Sequence, residues 1–313
     1  MKIAMLEPIA VGKELLEELA QPLLTAGHIV EFCTMPLTAE EKAARSAADI
    51  LIVANSPLDA SFVQNCGAKM ISVAFTGVDH LPMDTCRDMG ITVCNAQGYA
   101  TIAVRDLVFG MVFGLMRNLS ACDAAVRRGG TKDGLVGNEI CGKTFGIVGY
   151  GQIGRAVGHV AAALGCKVIA HTASKAAGET EGNVSFVDFD TLLTTSDIIS
   201  LHTPLTPETR GMFSAAQFAA MKNTAILINA ARGPVVDAAA LAHALNTGEI
   251  AAAGIDVFDI EPPLAPDEPL FAAKNTLLAP HIGFATKESM VKRAEIVFEN
   301  VAMWLKGAPQ NTK

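Results

Sequence analysis

The residues whose side chains could carry out chemistry lie at the ends of predicted strands late in the chain. Arg232, Asp256 and His281 each stand at or just beyond such an end. In open α/β sheets, ligands bind at the carboxyl ends of the strands, so we expect these three side chains at one site. An imidazole takes up and releases a proton near neutral pH, which makes His281 the natural proton carrier. Glu261, if it contacts the far ring nitrogen of His281, would fix the tautomer and stabilise the protonated ring.

A second chemical feature is the glycine turn Gly149-Tyr-Gly-Gln-Ile-Gly154. A β-forming run leads into the turn and a helical pattern follows it. The first glycine permits a tight turn, Gly151 lets the backbone approach a pyrophosphate, and the last glycine lets the helix pack against the strand. Gln152 and Ile153 then offer helix N-terminal N–H groups to the anion. Glycine turns of this kind also serve packing alone, but the flanking strand and helix favour dinucleotide binding.

The elements that must position these residues follow from the hydrophobic pattern. Short β-forming runs alternate with helical patterns, which implies parallel sheets with helices on both faces, an α/β fold of doubly wound type. A long apolar helix is predicted at residues 101–128, and its methionine stripe is typical of a core or subunit interface rather than of a cofactor site. The predicted strands span residues 2–6, 28–32, 49–54, 70–73, 91–94, 144–148, 167–170, 198–201, 225–229, 252–257 and 277–279. The other predicted helices span residues 12–20, 39–48, 61–66, 214–220, 237–247 and 288–306, with one more after the glycine turn.

Composition excludes several classes of function. A chain of 313 residues, half of them hydrophobic, predicts two domains with ample cores. The net charge of −8 argues against nucleic acid as the main ligand, and no secretory signal or membrane-spanning apolar run is present. Seven scattered cysteines without a C-x-x-C pair fit neither a disulfide framework nor a zinc site. We therefore expect a cytoplasmic protein with reduced thiols, no metal site, and no nucleic-acid or membrane partner.

Six motifs together carry a resemblance to a known family. They are Phe75-Thr-Gly-Val-Asp-His80, Gly149-Tyr-Gly-Gln-Ile-Gly154, His202-Thr-Pro-Leu-Thr-Pro-Glu-Thr-Arg-Gly211, Asn229-Ala-Ala-Arg-Gly233, Asp256-Val-Phe-Asp-Ile-Glu-Pro262 and Pro280-His-Ile-Gly283. In this order they resemble the D-isomer-specific 2-hydroxyacid dehydrogenases, over essentially the whole chain. The resemblance implies a substrate-binding domain of residues 1–97 plus 286–313. It also implies a Rossmann NAD(P)-binding domain of residues 98–285 inserted into the first, an active site in the cleft, and a homodimer joined through the Rossmann domain.

The resemblance implies a role for each candidate residue. Interconversion of a 2-hydroxyacid and a 2-oxoacid needs a hydride carrier, a proton carrier and a cation for the carboxylate. The family pattern gives His281 the role of proton carrier and Glu261 that of fixing its tautomer. It gives Arg232 the binding of the substrate carboxylate and the polarisation of the carbonyl, a task suited to a bidentate guanidinium. Thr76 and Gly77 resemble the loop that donates backbone N–H groups to the same carboxylate. Each residue alone would more often be an ordinary loop residue, but their joint occurrence at motif positions favours the catalytic interpretation.

The cofactor side of the site is implied by the same motifs. The expected ligands are a nicotinamide cofactor, NAD(P)H, and a small 2-oxoacid. Asp256 resembles the family's carboxylate near the nicotinamide amide, although a strand-end aspartate can also cap a turn. The expected cofactor contacts are Gly149, Gly151, Gln152, Ile153, Gly154, Thr172, His202, Thr203, Pro204, Thr209, Ala230, Ala231, Asp256 and Gly283.

Two positions depart from the family pattern. An acid usually ends the second Rossmann strand and binds the ribose 2′-hydroxyl, but Thr172 occupies that position here. Without the acid a 2′-phosphate is not repelled, and Lys175 lies within its reach. We therefore expect relaxed specificity with a lean to NADPH, although Lys175 is equally well explained as a solvated charge and the usual arginine partner is missing. Arg105, before Asp106, replaces a small residue and is either a substrate-side cation or a helix ion-pair partner.

Three functions remain open on the sequence. Residues 53–57 and 72–76, where the family's phosphoglycerate dehydrogenases place basic residues, contain no Lys or Arg. This favours a small unphosphorylated substrate such as hydroxypyruvate or glyoxylate over 3-phosphoglycerate, the alternative. An NAD(H)-sensing corepressor would share the fold and its catalytic residues but usually needs extra tails. The chain starts at its first predicted strand and stops just after its last predicted helix, which favours the enzyme.

Overall fold

A computed structural model describes every residue from Met1 to Lys313. The chain divides into two compact units. The first unit comprises Met1–Ala100 and Ala285–Lys313, and the second comprises Thr101–Phe284. Each unit is built on one sheet flanked by helices, so the predicted fold class is confirmed. None of the helices is long and apolar enough to cross a membrane.

Strands and helices alternate through both units. The strands are β1 (Lys2–Met5), β2 (Ile29–Glu31), β3 (Ile50–Val53), β4 (Met70–Val73), β5 (Thr92–Asn95), β6 (Thr144–Val148), β7 (Lys167–His171), β8 (Thr180–Glu181), β9 (Val184–Phe186), β10 (Ile198–Leu201), β11 (Ile226–Asn229), β12 (Ala252–Ile255) and β13 (Thr276–Leu278). The helices are α1 (Lys13–Thr25), α2 (Ala39–Arg45), α3 (Ala60–Asn65), α4 (Met83–Asp88), α5 (Thr101–Met116), α6 (Leu119–Arg127), α7 (Gln152–Ala163), α8 (Phe189–Thr195), α9 (Ala215–Ala220), α10 (Ala238–Thr247) and α11 (Lys287–Leu305).

The sheet of the first unit has five parallel strands in the order β2-β1-β3-β4-β5. Its central strands β3 and β4 read Ile-Leu-Ile-Val and Met-Ile-Ser-Val, and every one of their residues is buried. Such continuous apolar runs suit parallel strands that helices cover on both faces. The strand order reverses direction at β1 and β3, the kind of point at which open α/β sheets bind ligands.

The sheet of the second unit has eight strands in the order β13-β12-β11-β10-β6-β7-β9-β8. Neighbours are parallel except in the β8–β9 hairpin. The order reverses between β6 and β10, which places Gly149 and His202 together at the switch point of a Rossmann fold. The carboxyl ends of β11, β12 and β13 lie side by side on one flank of the sheet, ahead of Arg232, Asp256 and His281 respectively.

The prediction of one helix over residues 101–128 is wrong. Asn118 adopts φ 52°, a left-handed conformation that separates α5 from α6. Met111 and Met116 of α5 are 1% and 5% exposed, so the methionine stripe is core. By contrast, α6 has no buried residue.

Four short elements are absent from the sequence prediction, namely α4, β8, β9 and α8. Each has two to seven residues, too few to display a hydrophobic period. Local chemistry defines some of them instead. The β8–β9 hairpin turns at Gly182, which has φ 58°, and α8 begins where the Asp188 carboxylate accepts the Thr191 N–H at 2.7 Å.

Candidate active site

The glycine turn joins β6 to α7. Gly149 has φ 90°, and its N–H donates to the His171 carbonyl at 2.8 Å. A Cβ at Gly149 would lie 2.6 Å from the carbonyl group of His202, and a Cβ at Gly154 would overlap the carbonyl of Gly149. The first position therefore needs glycine for its conformation, and the last needs it so that the helix can pack against the strand.

Gly151 differs, because a Cβ there would have no neighbour within 4 Å. Gly151 is the N-cap of α7, a helix of 12 residues, and no side chain caps this helix. The N–H groups of Gln152 and Ile153 therefore belong to an uncapped helix start with open space beside it, where an anion also meets the positive end of the helix dipole. The turn fits the pyrophosphate of a dinucleotide, whose nicotinamide would accept or supply a hydride when bound.

The turn after β7 borders the expected adenosine ribose. Thr172 follows the strand in place of an acid, and its hydroxyl lies 3.5 Å from the Ser174 hydroxyl. Lys175 Nζ lies 3.3 Å from Glu179 Oε2 and 5.8 Å from the centroid of the Phe186 ring. The Lys175 ammonium group is thus engaged in an ion pair. From the sequence it could have been either a solvated charge or a ligand-binding group.

His202 follows β10 beside the glycine turn. Its Nε2 lies 2.9 Å from the Ser200 hydroxyl, and its Nδ1 is buried without a hydrogen-bond partner. Part of the residue reaches the surface, but Nδ1 is enclosed, and burial lowers the pKa of the imidazole to about 3. The imidazole is therefore neutral near pH 7. In the loop that begins with Thr203, the Thr209 hydroxyl donates to the Pro204 carbonyl at 2.7 Å.

Arg232 lies in a loop that Asn229 holds. The Asn229 amide nitrogen donates to the Arg232 carbonyl at 3.0 Å, and the amide oxygen accepts the Ala231 N–H at 3.1 Å. Asn229 is 1% exposed, so water does not compete for these bonds. On the other side, a Cβ at Gly233 would overlap the carbonyl group of Phe258. The backbone of Arg232 is thus fixed from both sides.

Asp256 fixes the loop that carries His281. Its carboxylate accepts the N–H groups of Ile282 and Gly283, each at 2.8 Å, and its carbonyl accepts the His281 N–H at 2.8 Å. Asp256 is 1% exposed, and burial raises its pKa despite the two donors. These bonds hold His281 at φ 55°, a conformation that a residue other than glycine keeps only when its surroundings impose it.

His281 and Glu261 are in direct contact. His281 Nδ1 lies 3.0 Å from Glu261 Oε2, and the two side chains are 32% and 48% exposed. Phe284 packs against the imidazole at nearly a right angle, with the ring centroids 5.6 Å apart. The contact at Nδ1 orients the ring and leaves Nε2 as the nitrogen that can face a substrate.

The sheet order gathers the predicted residues of the second unit at neighbouring strand ends. The glycine turn, Thr172 and His202-Thr203-Pro204 follow β6, β7 and β10, which are adjacent. The residues at or beyond the ends of β11, β12 and β13 are Ala230, Ala231, Arg232, Asp256, Glu261, His281 and Gly283. The bonds from the Asn229 side chain could not be predicted from the sequence, because nothing in the motif Asn229-Ala-Ala-Arg-Gly233 indicates that this amide turns back on its own loop. Arg105 pairs with Asp106, with Nη2 to Oδ1 at 2.6 Å.

Thr76 and Gly77 follow β4 in the first unit, where three asparagines form a relay that the sequence does not reveal. Asn95 Nδ2 donates to the Thr76 carbonyl at 2.5 Å, Asn300 Nδ2 to the Asn95 carbonyl at 2.9 Å, and Asn311 Nδ2 to Asn300 Oδ1 at 2.9 Å. In a planar trans peptide the C=O and the following N–H point in opposite directions. Anchoring the Thr76 carbonyl therefore turns the Gly77 N–H away from the relay.

Arg293 of α11 supports the same turn. It is 3% exposed, and its Nη2 donates to the Ile9 carbonyl at 2.6 Å. The guanidinium lies 5.1 Å from the ring centroid of Phe75 and 5.7 Å from that of Tyr99, which fixes the residue just before Thr76. Burial lowers the pKa of Arg293, but a guanidinium stays charged in proteins.

The fold and the site together define a class of protein. A Rossmann sheet with a glycine turn shaped for a pyrophosphate binds a dinucleotide. A histidine–carboxylate pair at the neighbouring strand ends can pass a proton to or from an oxygen atom. These are the two requirements of a dehydrogenase.

Comparison with known proteins identifies the family. A family model described as D-isomer specific 2-hydroxyacid dehydrogenase, NAD binding domain, matches residues 109–283. The chain is 35% identical to a hydroxypyruvate reductase of Blautia hydrogenotrophica over 84% of each chain. It is 42% identical to a glyoxylate reductase of Thermococcus litoralis over 76% of this chain and 74% of the relative. An acyclic imino acid reductase solved in complex with NADPH and D-Arg aligns with a TM-score of 0.90 at 27% identity, covering 100% of both chains.

The chain belongs to the D-isomer specific 2-hydroxyacid dehydrogenase family. It is an oxidoreductase that uses a nicotinamide cofactor and acts on the CH–OH group of 2-hydroxyacids. The predicted family and enzyme class are confirmed, whereas the roles of individual residues stay predictions.

Proposed function

We propose that this enzyme reduces a small, unphosphorylated 2-oxoacid such as hydroxypyruvate or glyoxylate to the D-2-hydroxyacid. The observation that carries the proposal is a carboxylate, rather than a cation, at the loop after β3. Glu7 is 8% exposed and accepts the N–H groups of Ala54 and Ser56 at 3.1 and 3.0 Å and the Ser56 hydroxyl at 2.6 Å. A carboxylate held there would repel a substrate phosphate, and residues 53–57 contain no Lys or Arg to offset it. The names of the two relatives above support the same substrates.

The proposed chemistry gives each side chain one task. The guanidinium of Arg232 binds the substrate carboxylate, for which the backbone N–H groups of Thr76 and Gly77 are further predicted donors. His281 donates the proton at Nε2 to the carbonyl oxygen while the carbonyl carbon gains a hydride. The carbonyl group thereby becomes a hydroxyl group, and the reverse sequence oxidises it. Glu261 holds the imidazole in orientation through Nδ1 and balances its charge while it is protonated.

For the cofactor we propose relaxed specificity with a lean to NADPH. Thr172 places no carboxylate at the end of β7, so a 2′-phosphate meets no repulsion there. The Lys175 N–H donates to the Thr172 carbonyl at 3.4 Å, which places this lysine within one turn of the strand end. The similar solved proteins include an NADPH complex and NAD complexes, so the lean to NADPH rests on Thr172 and Lys175 alone.

A homodimer and a cytoplasmic location stay predictions. The surface that best suits a dimer contact is α6 with the segment after it, because Leu119, Val126 and Val136 are 54%, 72% and 89% exposed. Apolar side chains grouped on one helix and its continuation favour a protein partner.

The test is a panel of 2-oxoacids assayed with both NADH and NADPH. We expect kcat/KM for hydroxypyruvate and glyoxylate to exceed that for 3-phosphohydroxypyruvate by at least about 10-fold, and Glu7→Gln to narrow the difference. A higher kcat/KM for the phosphorylated oxoacid would contradict the proposed substrate class. Turnover of none of the oxoacids would instead favour a nucleotide-sensing function.

The cofactor proposal is tested by the ratio of kcat/KM for NADPH and NADH in wild type and in Thr172→Asp. Restoring the acid should shift this ratio towards NADH. If wild type already prefers NADH by more than about 100-fold, roughly 2.7 kcal/mol, the argument from the missing carboxylate is wrong.

A further inference from the structure

The turn after β7 contains a carboxylate that has no task in the chemistry above. Glu179 Oε1 accepts the Ala176 N–H at 2.7 Å, and Glu179 Oε2 lies 3.3 Å from Lys175 Nζ. The bond from Ala176, followed by that from Lys175, lowers the pKa of Glu179, so the group is ionised at neutral pH. The carboxylate is held at two points and forms a fixed partner for the lysine.

The position of this pair relates it to the cofactor's ribose. Lys175 and Thr172 belong to one turn, closed by the N–H to carbonyl bond at 3.4 Å. The strand that precedes the turn also meets the glycine turn, because the His171 carbonyl accepts the Gly149 N–H at 2.8 Å. In a Rossmann fold the group at this strand end faces the ribose 2′ position. Lys175 is therefore the lysine closest in sequence to Thr172, the position that faces a 2′-phosphate. Its ammonium group is already paired with Glu179.

We propose that Glu179 is a specificity-determining residue that restrains Lys175 and thereby limits the affinity for the 2′-phosphate of NADP(H). The inference rests on the proposed cofactor site. Lys175 must leave Glu179 before it can bind the phosphate. Loss of the Lys175–Glu179 pair therefore offsets part of the binding free energy that the lysine–phosphate pair contributes. Glu179 thus moderates, through Lys175, the lean to NADPH that the missing acid at the position of Thr172 allows.

A second ion pair nearby provides a matched control. Arg155 of α7 pairs with Glu181, and its guanidinium lies 5.0 Å from the centroid of the Tyr150 ring. Like Lys175, this cation is partly exposed, pairs with a glutamate and lies over an aromatic ring. It belongs to the helix rather than to the turn after β7. Glu181→Gln therefore removes the same charge two residues away without releasing Lys175.

The experiment is calorimetric titration with 2′-phospho-ADP-ribose and ADP-ribose, which share the pyrophosphate and differ only at the 2′ position. Neither probe can be turned over, so binding is measured independently of activity. We expect Glu179→Gln to tighten binding of the phosphorylated probe by about 3- to 5-fold, as suits a partly exposed ion pair, with little change for ADP-ribose. In a Lys175→Met background, the same substitution should have little effect on either probe. Glu181→Gln should leave the ratio of the two affinities unchanged.

Equal tightening of both probes, the full effect in the Lys175→Met background, or the same selective effect from Glu181→Gln would overturn the inference. An unchanged ratio in Glu179→Gln, in a protein that binds both probes, would refute it while leaving the cofactor site intact. If wild type binds neither probe, the cofactor site fails and the inference fails with it.

Discussion

Burial acts in opposite directions on two ionisable residues of the second unit. It raises the pKa of Asp256 and lowers that of His202 to about 3, because loss of water penalises the charged form of each group. The Asp256 carboxylate accepts hydrogen bonds from the N–H groups of Ile282 and Gly283 in place of water. These two bonds fix the backbone beside His281. His202 stays neutral. The sequence predicted His281 and Glu261 because their types and motif positions carry chemistry, but it could not show which groups the fold would desolvate.

His202→Gln tests the buried neutral imidazole. In the unfolded chain the imidazole takes up a proton as the pH falls below about 6.5, whereas in the folded protein it does so only near a pKa of about 3. Wild type therefore loses stability as the pH falls from 6.5 towards 3, and the variant lacks this loss. Between pH 6.5 and pH 5 the unfolding free energy of the variant should rise relative to wild type by up to about 2 kcal/mol. Urea unfolding of both proteins at the two pH values measures this difference in unfolding free energy. A difference that is the same at pH 6.5 and pH 5 would contradict the burial of the imidazole.

Glu261→Gln tests the contact at His281 Nδ1. Because the imidazole loses the carboxylate that orients it through Nδ1, kcat for oxoacid reduction should fall by about 10-fold or more, while the Kd for NADPH stays within about 2-fold of wild type. Asp267→Asn, which removes an exposed charge from the same loop, is the control and should leave kcat unchanged. A wild-type kcat in Glu261→Gln would count against the pair.

At the scale of elements, the site depends on where strands end and helices begin. The glycine spacing located the start of α7 because Gly149 and Gly154 are required sterically by the protein itself, whereas Gly151 leaves open space for a ligand. The break between α5 and α6 could not be predicted in the same way. The apolar pattern continues across Asn118, and only the surrounding structure selects its left-handed conformation. The β8–β9 hairpin follows the turn that contains Lys175. Its two strands are too short to show a hydrophobic period, so the sequence did not predict them.

Gly151→Ala should separate cofactor binding from folding. The added methyl group meets nothing in the protein, so Tm should stay within about 2 °C of wild type. The methyl group would occupy the space proposed for the pyrophosphate, and the Kd for NADPH should rise at least about 10-fold. Gly149→Ala is the contrast, because its positive φ and its contact with His202 predict a loss of about 1–3 kcal/mol in stability. Unchanged NADPH affinity in Gly151→Ala would place the pyrophosphate elsewhere.

At the scale of the whole molecule, the chain returns to its first unit after completing the second. The relay from Asn311 through Asn300 to Asn95 ties the end of the chain to the turn at Thr76. No local pattern predicts such contacts, because the partners are far apart in sequence and amide side chains carry no periodic signal. The alternation of strands and helices did predict both sheets, since that pattern is local.

Asn300→Ala should uncouple this relay. The substitution leaves the Asn95 carbonyl and the Asn311 amide without a partner, so stability should fall by about 1–3 kcal/mol. If the relay positions the backbone of Thr76 and Gly77 for the substrate carboxylate, KM for the oxoacid should also rise by about 5-fold or more at unchanged NADPH affinity. Ser72→Ala is the matched control, because it removes a different buried bond to α11, from Ser72 Oγ to the Val297 carbonyl at 3.1 Å. An equal rise of KM in both variants would mean that general loosening, not the relay, is responsible.

The most direct test of the proposed mechanism compares oxoacid-dependent oxidation of NADPH by wild type and by His281→Asn, with NADPH affinity measured by calorimetry for both proteins. Loss of the proton carrier should lower kcat by about 10²–10⁴-fold, while the Kd for NADPH stays within about 2-fold of wild type, because His281 acts on the substrate oxygen. A variant that keeps wild-type kcat would contradict the role of His281, and a wild type that turns over no 2-oxoacid would contradict the proposed function itself.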